Sequence, residues 1–167
     1  MKRVNAIAFG LLVAATSFSA TSLADEEGEG DRPLPLVSNT KWNAECSSCH
    51  TLYHPSFLPA RSWRKLMGGL DKHFGQNASL DPVTQQEITN FLVKYSADQG
   101  GAKYAKSIPA SSTPLRITDT AWFKRTHGEI RVLVWKRTKI GSPSNCMACH
   151  QGAEKGDFSE VKVAIPR

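Results

Sequence analysis

The chain has 167 residues, four cysteines, five histidines and a formal net charge of +6 at pH 7. That length holds one domain or two small ones and excludes a large multidomain enzyme, while 40% apolar content with 4 Trp and 7 Phe excludes wholesale disorder. No internal stretch is long and apolar enough to span a bilayer.

Residues 1–24 read as a signal peptide: a basic start at Lys2 and Arg3, an apolar run from Ala6 to Ala15, and small residues at Ser22 and Ala24. Cleavage after Ala24 predicts an exported protein; the alternative is an uncleaved membrane anchor, for which the apolar run is short. Residues 25–35 read as an acidic, flexible N-terminus, with Asp25 to Asp31 spelling DEEGEGD. The remaining body is therefore more basic than the whole chain.

The first cysteine motif, Cys46-Ser47-Ser48-Cys49-His50, opens a unit over 36–98. After a Pro-rich loop, the three- and four-residue spacing of Trp63, Leu66, Met67, Leu70, His73 and Phe74 predicts a helix, with Ser62 as its cap and Gly75 at its end. Asp81-Pro82 begins a second helix with Ile88, Phe91, Leu92 and Tyr95 on its apolar face, stopped by Gly100-Gly101. Residues 99–117 read as a linker. The second unit, 118–167, opens on a helix from Thr118 or Asp119 carrying Trp122, Phe123, His127 and Ile130. Val132 and Val134 either extend it or start a strand. The second motif, Cys146-Met147-Ala148-Cys149-His150, follows, and the alternation of Val161, Val163 and Ile165 predicts a short terminal strand.

Both motifs have the C-x-x-C-H spacing of c-type haem attachment. Residues three and four apart share one face of a helical turn, so two thiols can form thioethers to the haem vinyl groups while the following His reaches the iron. Cys46 and Cys49 then anchor one haem with His50, and Cys146 and Cys149 a second with His150. Three other chemistries use such cysteines. A zinc ribbon needs no His after each pair and spaces its ligands more closely; a redox dithiol uses one C-x-x-C in a β-α-β setting; plain disulfides leave both histidines without a role.

The other axial position decides between carrier and enzyme, because a protein ligand there leaves electron transfer and an open position admits gas or peroxide. The candidates are His54, His73, His127, Met67 and Met147. His73 lies 23 residues after His50, and His127 lies 23 before His150; both fall on apolar stripes, where a histidine is either a ligand or a satisfied core residue. His54, four residues after His50, is poorly placed to cross to the far face of the same haem. Met67 is core or an alternative first-haem ligand, and Met147 sits inside its own motif. Trp63, Phe74, Trp122 and Phe123 are candidates for packing on haem or for ordinary core.

The segments CSSCH, LPARSW, HFG, WFKRTHGEI and NCMACH resemble the dihaem cytochrome c family often called DHC, over most of the chain from about Trp42 to Ile165. The resemblance implies a mainly α fold of two small cytochrome c-like haem-binding units with long loops and little strand. It also implies a periplasmic electron carrier with two covalently attached haem c groups, ligated by His50 and His73 and by His150 and His127. By the same resemblance its partners are an oxygen-binding SHP-type monohaem cytochrome c and a membrane b-type cytochrome. His54 is outside that pattern.

The leading reading is thus a relay of single electrons and not an enzyme. The alternatives are the subunit through which electrons enter a periplasmic reductase, or a small haem enzyme or gas sensor with one open or labile axial position. Lys124, Arg125, Arg131, Lys136, Arg137 and Lys139 face one acid, Glu129, across the same segment. They serve an acidic docking partner, haem propionates or plain solvation.

Overall fold

The computed structural model describes residues 33–100 and 102–167; the signal peptide and all but the last three residues of the acidic N-terminus lie outside them. The described chain is helical, with seven α-helices joined by 3-10 turns and long loops. No strand is formed among the described residues. Nor is any of their helices long and apolar enough to cross a membrane.

Helix α1 (Thr40–Ser47) starts where the Asn39 side chain accepts from the Trp42 amide at 2.9 Å. It is pinned to α3 (Pro82–Lys94) by an ion pair of Lys41 with Glu87 at 3.0 Å and by Trp42 packing 5.0 Å from Phe91. Asp81 caps α3 at the Val83 and Thr84 amides, and Pro82 occupies its first turn. Between them α2 (Ala60–Met67) completes a core of Trp42, Leu58, Trp63, Met67, Ile88, Phe91 and Leu92. Each large apolar side chain buried here contributes about 1.5–3 kcal/mol.

In the first half, three helix boundaries differ from the sequence expectation, for identifiable reasons. Ser62 does not cap α2; it is buried inside it, and the Ala60 amide is instead accepted by the Asp98 carboxylate at 3.2 Å, 38 residues away. The same helix stops at Gly68 and does not reach His73 or Gly75. Gly68 and Gly69 each disfavour helix by about 1 kcal/mol, and the chain restarts as a 3-10 turn, Leu70–Lys72, whose i, i+3 spacing mimics continued helical periodicity. Helix α3 ends at Tyr95, not at Gly100-Gly101, and a separate turn, α4 (Ala97–Gly100), folds back so that Ala97 donates to the Leu58 carbonyl at 3.0 Å.

Beyond α5 (Ala102–Ala105), the 99–117 segment is strapped to the first half. Arg61 donates to the Ser112 and Pro109 carbonyls at 2.7 and 2.9 Å. Phe57, almost wholly buried, sits at the centre of an aromatic cluster, 5.1 Å from Tyr104, 5.5 Å from Trp122 and 5.1 Å from Phe158.

The second half is built from smaller pieces. Helix α6 (Ala121–Thr126) is capped by Thr120, later than expected, because Ile117–Asp119 forms its own 3-10 turn. Val132 and Val134 neither extend α6 nor begin a strand; they lie in a one-turn helix, α7 (Val132–Trp135). The expected terminal strand is absent: Glu160–Lys162 is a 3-10 turn, and the tail is held singly, by Ala164 donating to the Cys149 carbonyl at 3.0 Å and Arg137 to that of Pro166 at 2.7 Å. With no neighbouring strand to pair, alternation alone cannot make a ladder.

Candidate haem sites

The first motif straddles the end of α1. Cys46 lies in its last turn, packed against the core, while Cys49 and His50 are exposed beyond it. The His50 Nδ1 lies 2.8 Å from the Thr51 carbonyl oxygen. A carbonyl only accepts, so Nδ1 carries the proton and the Nε2 lone pair is free. Across from it stands the His73 ring, 6.2 Å between centroids and 22° between planes. His73 is placed by a tight turn: the Gln76 amide donates to its carbonyl at 3.0 Å, and Phe74 and Gly75 both take positive φ, 51° and 96°. The Arg116 guanidinium sits 4.0 Å over the Phe74 ring. Burial first, then the charges of His50 and Arg116, hold the His73 pKa below its usual value, which keeps its lone pair available.

The second motif lies on a 3-10 turn, Cys146–Ala148, with the His150 amide donating to the Cys146 carbonyl at 2.8 Å. Cys149 is buried and His150 half-buried. The His150 Nδ1 is shielded from solvent without a hydrogen-bond partner. Its counterpart is His127, at the C-terminal end of α6, 6.1 Å away between centroids but with planes at 73°. The His127 Nδ1 donates to the Phe123 carbonyl at 3.0 Å, again freeing Nε2, and the ring stacks on Phe123 at 4.1 Å and 17°. Burial lowers the pKa of both His127 and His150.

The centroid separation of each pair is the size that an iron held by two imidazoles would need. Two metal–imidazole bonds of about 2 Å each, with half an imidazole ring on either side, add up to a centroid separation of this size. The cysteines fit attachment better than their rivals. None is in a disulfide. Burial pushes the Cys46 and Cys146 thiols up to about 11, the opposite of a reactive dithiol or a thiolate metal site. Among the described residues no three of His, Cys, Asp or Glu converge as a zinc site would require.

The remaining candidates are placed elsewhere. His54 has both ring nitrogens engaged: the Ser56 amide donates to Nδ1 at 3.2 Å, so the proton sits on Nε2 and is donated to the Pro35 carbonyl at 2.9 Å. That is the opposite tautomer from His50 and His127. Met67 is buried in the core, as is Trp63, whose indole N–H donates to the Pro55 carbonyl at 2.7 Å; Met147 is half-buried. Phe74 is 46% exposed, Phe123 backs His127, and Trp122 joins the Phe57 cluster. Lys124, Arg125, Arg131, Lys136 and Lys139 are exposed, whereas Arg137 is used to hold the tail.

Tyr53, Asp98 and Arg116 escaped the sequence reading. Tyr53 lies 5.0 Å from His50, and its hydroxyl donates to the Ser144 carbonyl at 2.8 Å. Its position three after His50 was the available signal; the partners of Asp98 and Arg116 lie too far along the chain to leave one.

A family model for dihaem cytochrome c (DHC) matches residues 42–158. Among solved structures the chain is similar to a dihaem cytochrome c from Rhodobacter sphaeroides, at 42% identity and a TM-score of 0.68, covering 74% of this chain and 98% of that one. It is also similar to a dihaem cytochrome c from Shewanella baltica OS155, at 39% identity and a TM-score of 0.66, covering 78% and 95%. No curated protein matches.

Proposed function

This chain belongs to the dihaem cytochrome c family and carries two covalently attached haem c groups, and from that premise we propose that it is a periplasmic relay of single electrons with two bis-histidine haems. Cys46 and Cys49 would hold the first haem, with His50 and His73 as its iron ligands; Cys146 and Cys149 would hold the second, with His150 and His127. The observation that carries the reading is the repeated separation of the facing imidazoles, 6.2 Å and 6.1 Å, on two different local scaffolds. When bound, each haem supplies a one-electron Fe(III)/Fe(II) couple, at lower potential with two imidazoles than with imidazole and thioether.

The chain's own residues do the rest. The Thr51 and Phe123 carbonyls hold His50 and His127 in the tautomer that presents Nε2, the outer-shell control that fixes a ligand's orientation and basicity. Burial keeps His73, His127 and His150 neutral at pH 7. Residues 36–98 and 118–167 form the two haem units, with 99–117 as the strap between them. Export after Ala24 places the protein where its partners by resemblance, an SHP-type monohaem cytochrome c and a membrane b-type cytochrome, are found.

The test is the absorption spectrum of the reduced holo-protein with and without carbon monoxide. A c-type spectrum unmoved by the gas is expected, since both irons are blocked; a shift at both haems would sink the reading. A second reading, one labile position, is favoured by a single feature: His73 is held by a turn, not a helix. A shift confined to the first haem would select it.

A further inference from the structure

We propose that Tyr53 is a positioning residue that couples the two haem sites, an inference that rests on His50 being an axial ligand. Its ring lies against the His50 imidazole, 5.0 Å between centroids at 30°. Its hydroxyl donates at 2.8 Å to the carbonyl of Ser144, 91 residues on. That carbonyl also accepts from the Cys146 amide at 3.0 Å. One side chain therefore touches the ligand of the first site and the residue from which the second attachment loop hangs.

Both ends are stiff enough for the contact to matter. Tyr53 is half-buried and packs on the first-half core. At the other end Ser144 lies in a small hydrogen-bonded turn: the Ser144 amide donates to the Ser142 hydroxyl at 3.2 Å, and the Asn145 amide to the Ser142 carbonyl at 3.0 Å. Such a turn moves as a unit. Other ties from the first half are less direct. Leu34 to Gly156 and Arg61 to Ser112 of the strap touch no ligand of either site, and Phe57 reaches His150 only through Phe158 and His127 only through Trp122 and Phe123. A displacement at His50 is thus passed by Tyr53 to Cys146, and the reverse.

The test is Tyr53→Phe in the holo-protein, read by proton NMR of the haem methyl groups during a redox titration, with covalent haem counted by mass spectrometry. Phenylalanine keeps the ring against His50 and removes the hydroxyl. The expected result is two haems per chain, shifted methyl signals at the second haem, and a distribution of one electron between the haems altered by up to about fivefold, the worth of one ordinary hydrogen bond. Tyr53→Leu, which removes the ring too, is expected to move the signals of both haems. Loss of haem from Cys146 and Cys149 alone in Tyr53→Phe is the same result in stronger form. Unchanged second-haem signals, changes confined to the first haem, or loss of both haems would overturn the proposal. The ligation reading fails separately: a high-spin first haem in the ferric wild-type spectrum sinks it whatever Tyr53→Phe does.

Discussion

In the first half, Cys46 lies in the last turn of a capped helix that drives Trp42 into a seven-residue core, and His73 is presented from an exposed turn beside a strained Phe74. In the second half, Cys146 begins a single 3-10 turn, Cys149 is buried, and His127 is fixed at a helix end by a carbonyl and a stacked phenyl ring. The same five-residue motif thus meets two supports of opposite character. In one, the first cysteine sits in a helix packed on the core, and the histidine facing His50 comes from a turn, with no side-chain hydrogen bond among the described residues. In the other, the histidine facing His150 is hydrogen-bonded and stacked, and Cys146 opens a single 3-10 turn. A haem binding motif specifies chemistry; the support on each side is decided by the packing around it.

The largest expected effect separates the halves by removing the haems. With all four cysteines replaced by alanine, amide exchange protection should persist in α1, α2 and α3, which share a core, and collapse in α6 and α7, each of six residues or fewer. Isolated helices that short do not hold themselves in water. Equal loss of protection in both halves would break the comparison. Next in size are the histidines proposed as distal ligands. His127→Ala removes a proposed ligand, a hydrogen bond and a ring stack, and should cost about 2–3 kcal/mol beyond ligation. His73→Ala should cost about 1 kcal/mol or less on the same basis, since His73 makes no side-chain hydrogen bond among the described residues. Chemical denaturation of both holo-variants checks the ordering, and carbon monoxide should then bind only the haem whose ligand was removed.

Two glycines sharpen the contrast further. Gly156 has φ +72°, and an added Cβ would lie 2.6 Å from the Leu34 carbonyl oxygen. Gly156→Ala should therefore cost about 2–4 kcal/mol, backbone strain and overpacking together. Gly75, at φ +96° with nothing within 4 Å, carries strain alone, about 1–2 kcal/mol in Gly75→Ala. Denaturation midpoints of the two variants, measured side by side, test whether crowding at Gly156 adds to strain.

Attachment chemistry was legible because it is local: four cysteines and two histidines at fixed spacing leave few alternatives. The family resemblance and the helical fold class were legible for the same reason. What periodicity blurred was continuity. Leu70 and His73 keep helical spacing in the sequence across the Gly68-Gly69 break because a 3-10 turn repeats at three, although no continuous helix joins them to Trp63. The Val161, Val163, Ile165 alternation misled because a strand needs a partner that sequence pattern does not supply. Long-range polar contacts, such as Asp98 on the Ala60 amide and Tyr53 on the Ser144 carbonyl, left no local trace.

The smallest expected effect belongs to His54, which the sequence left without a role. Its Nδ1 accepts from Ser56 and its Nε2 donates to Pro35, and Leu34 next door donates to the Gly156 carbonyl at 2.8 Å. His54 thus fastens the segment that links the first half to the second. Burial holds its pKa below the usual 6.5, so the folded state favours the neutral ring. Its contribution is complete above pH 6.5, begins to fall as pH drops through that value, and is lost below the depressed folded pKa. Protonation at Nδ1 cancels the hydrogen bond from the Ser56 amide, which fits that direction, and leaves the Ser56 hydroxyl, 2.7 Å away, to accept instead. On unfolding, the proposed ligands His73, His127 and His150 are released and take up protons as well, so His54 accounts for part of the slope of stability near pH 6. Denaturation midpoints between pH 7.5 and 5.5 should fall with pH in the wild type and fall less steeply in His54→Gln, which starts about 1–2 kcal/mol less stable at pH 7.5. A slope unchanged by the substitution would mean that His54 binds protons equally in the folded and unfolded chain, and its fastening role would then rest on its hydrogen bonds alone.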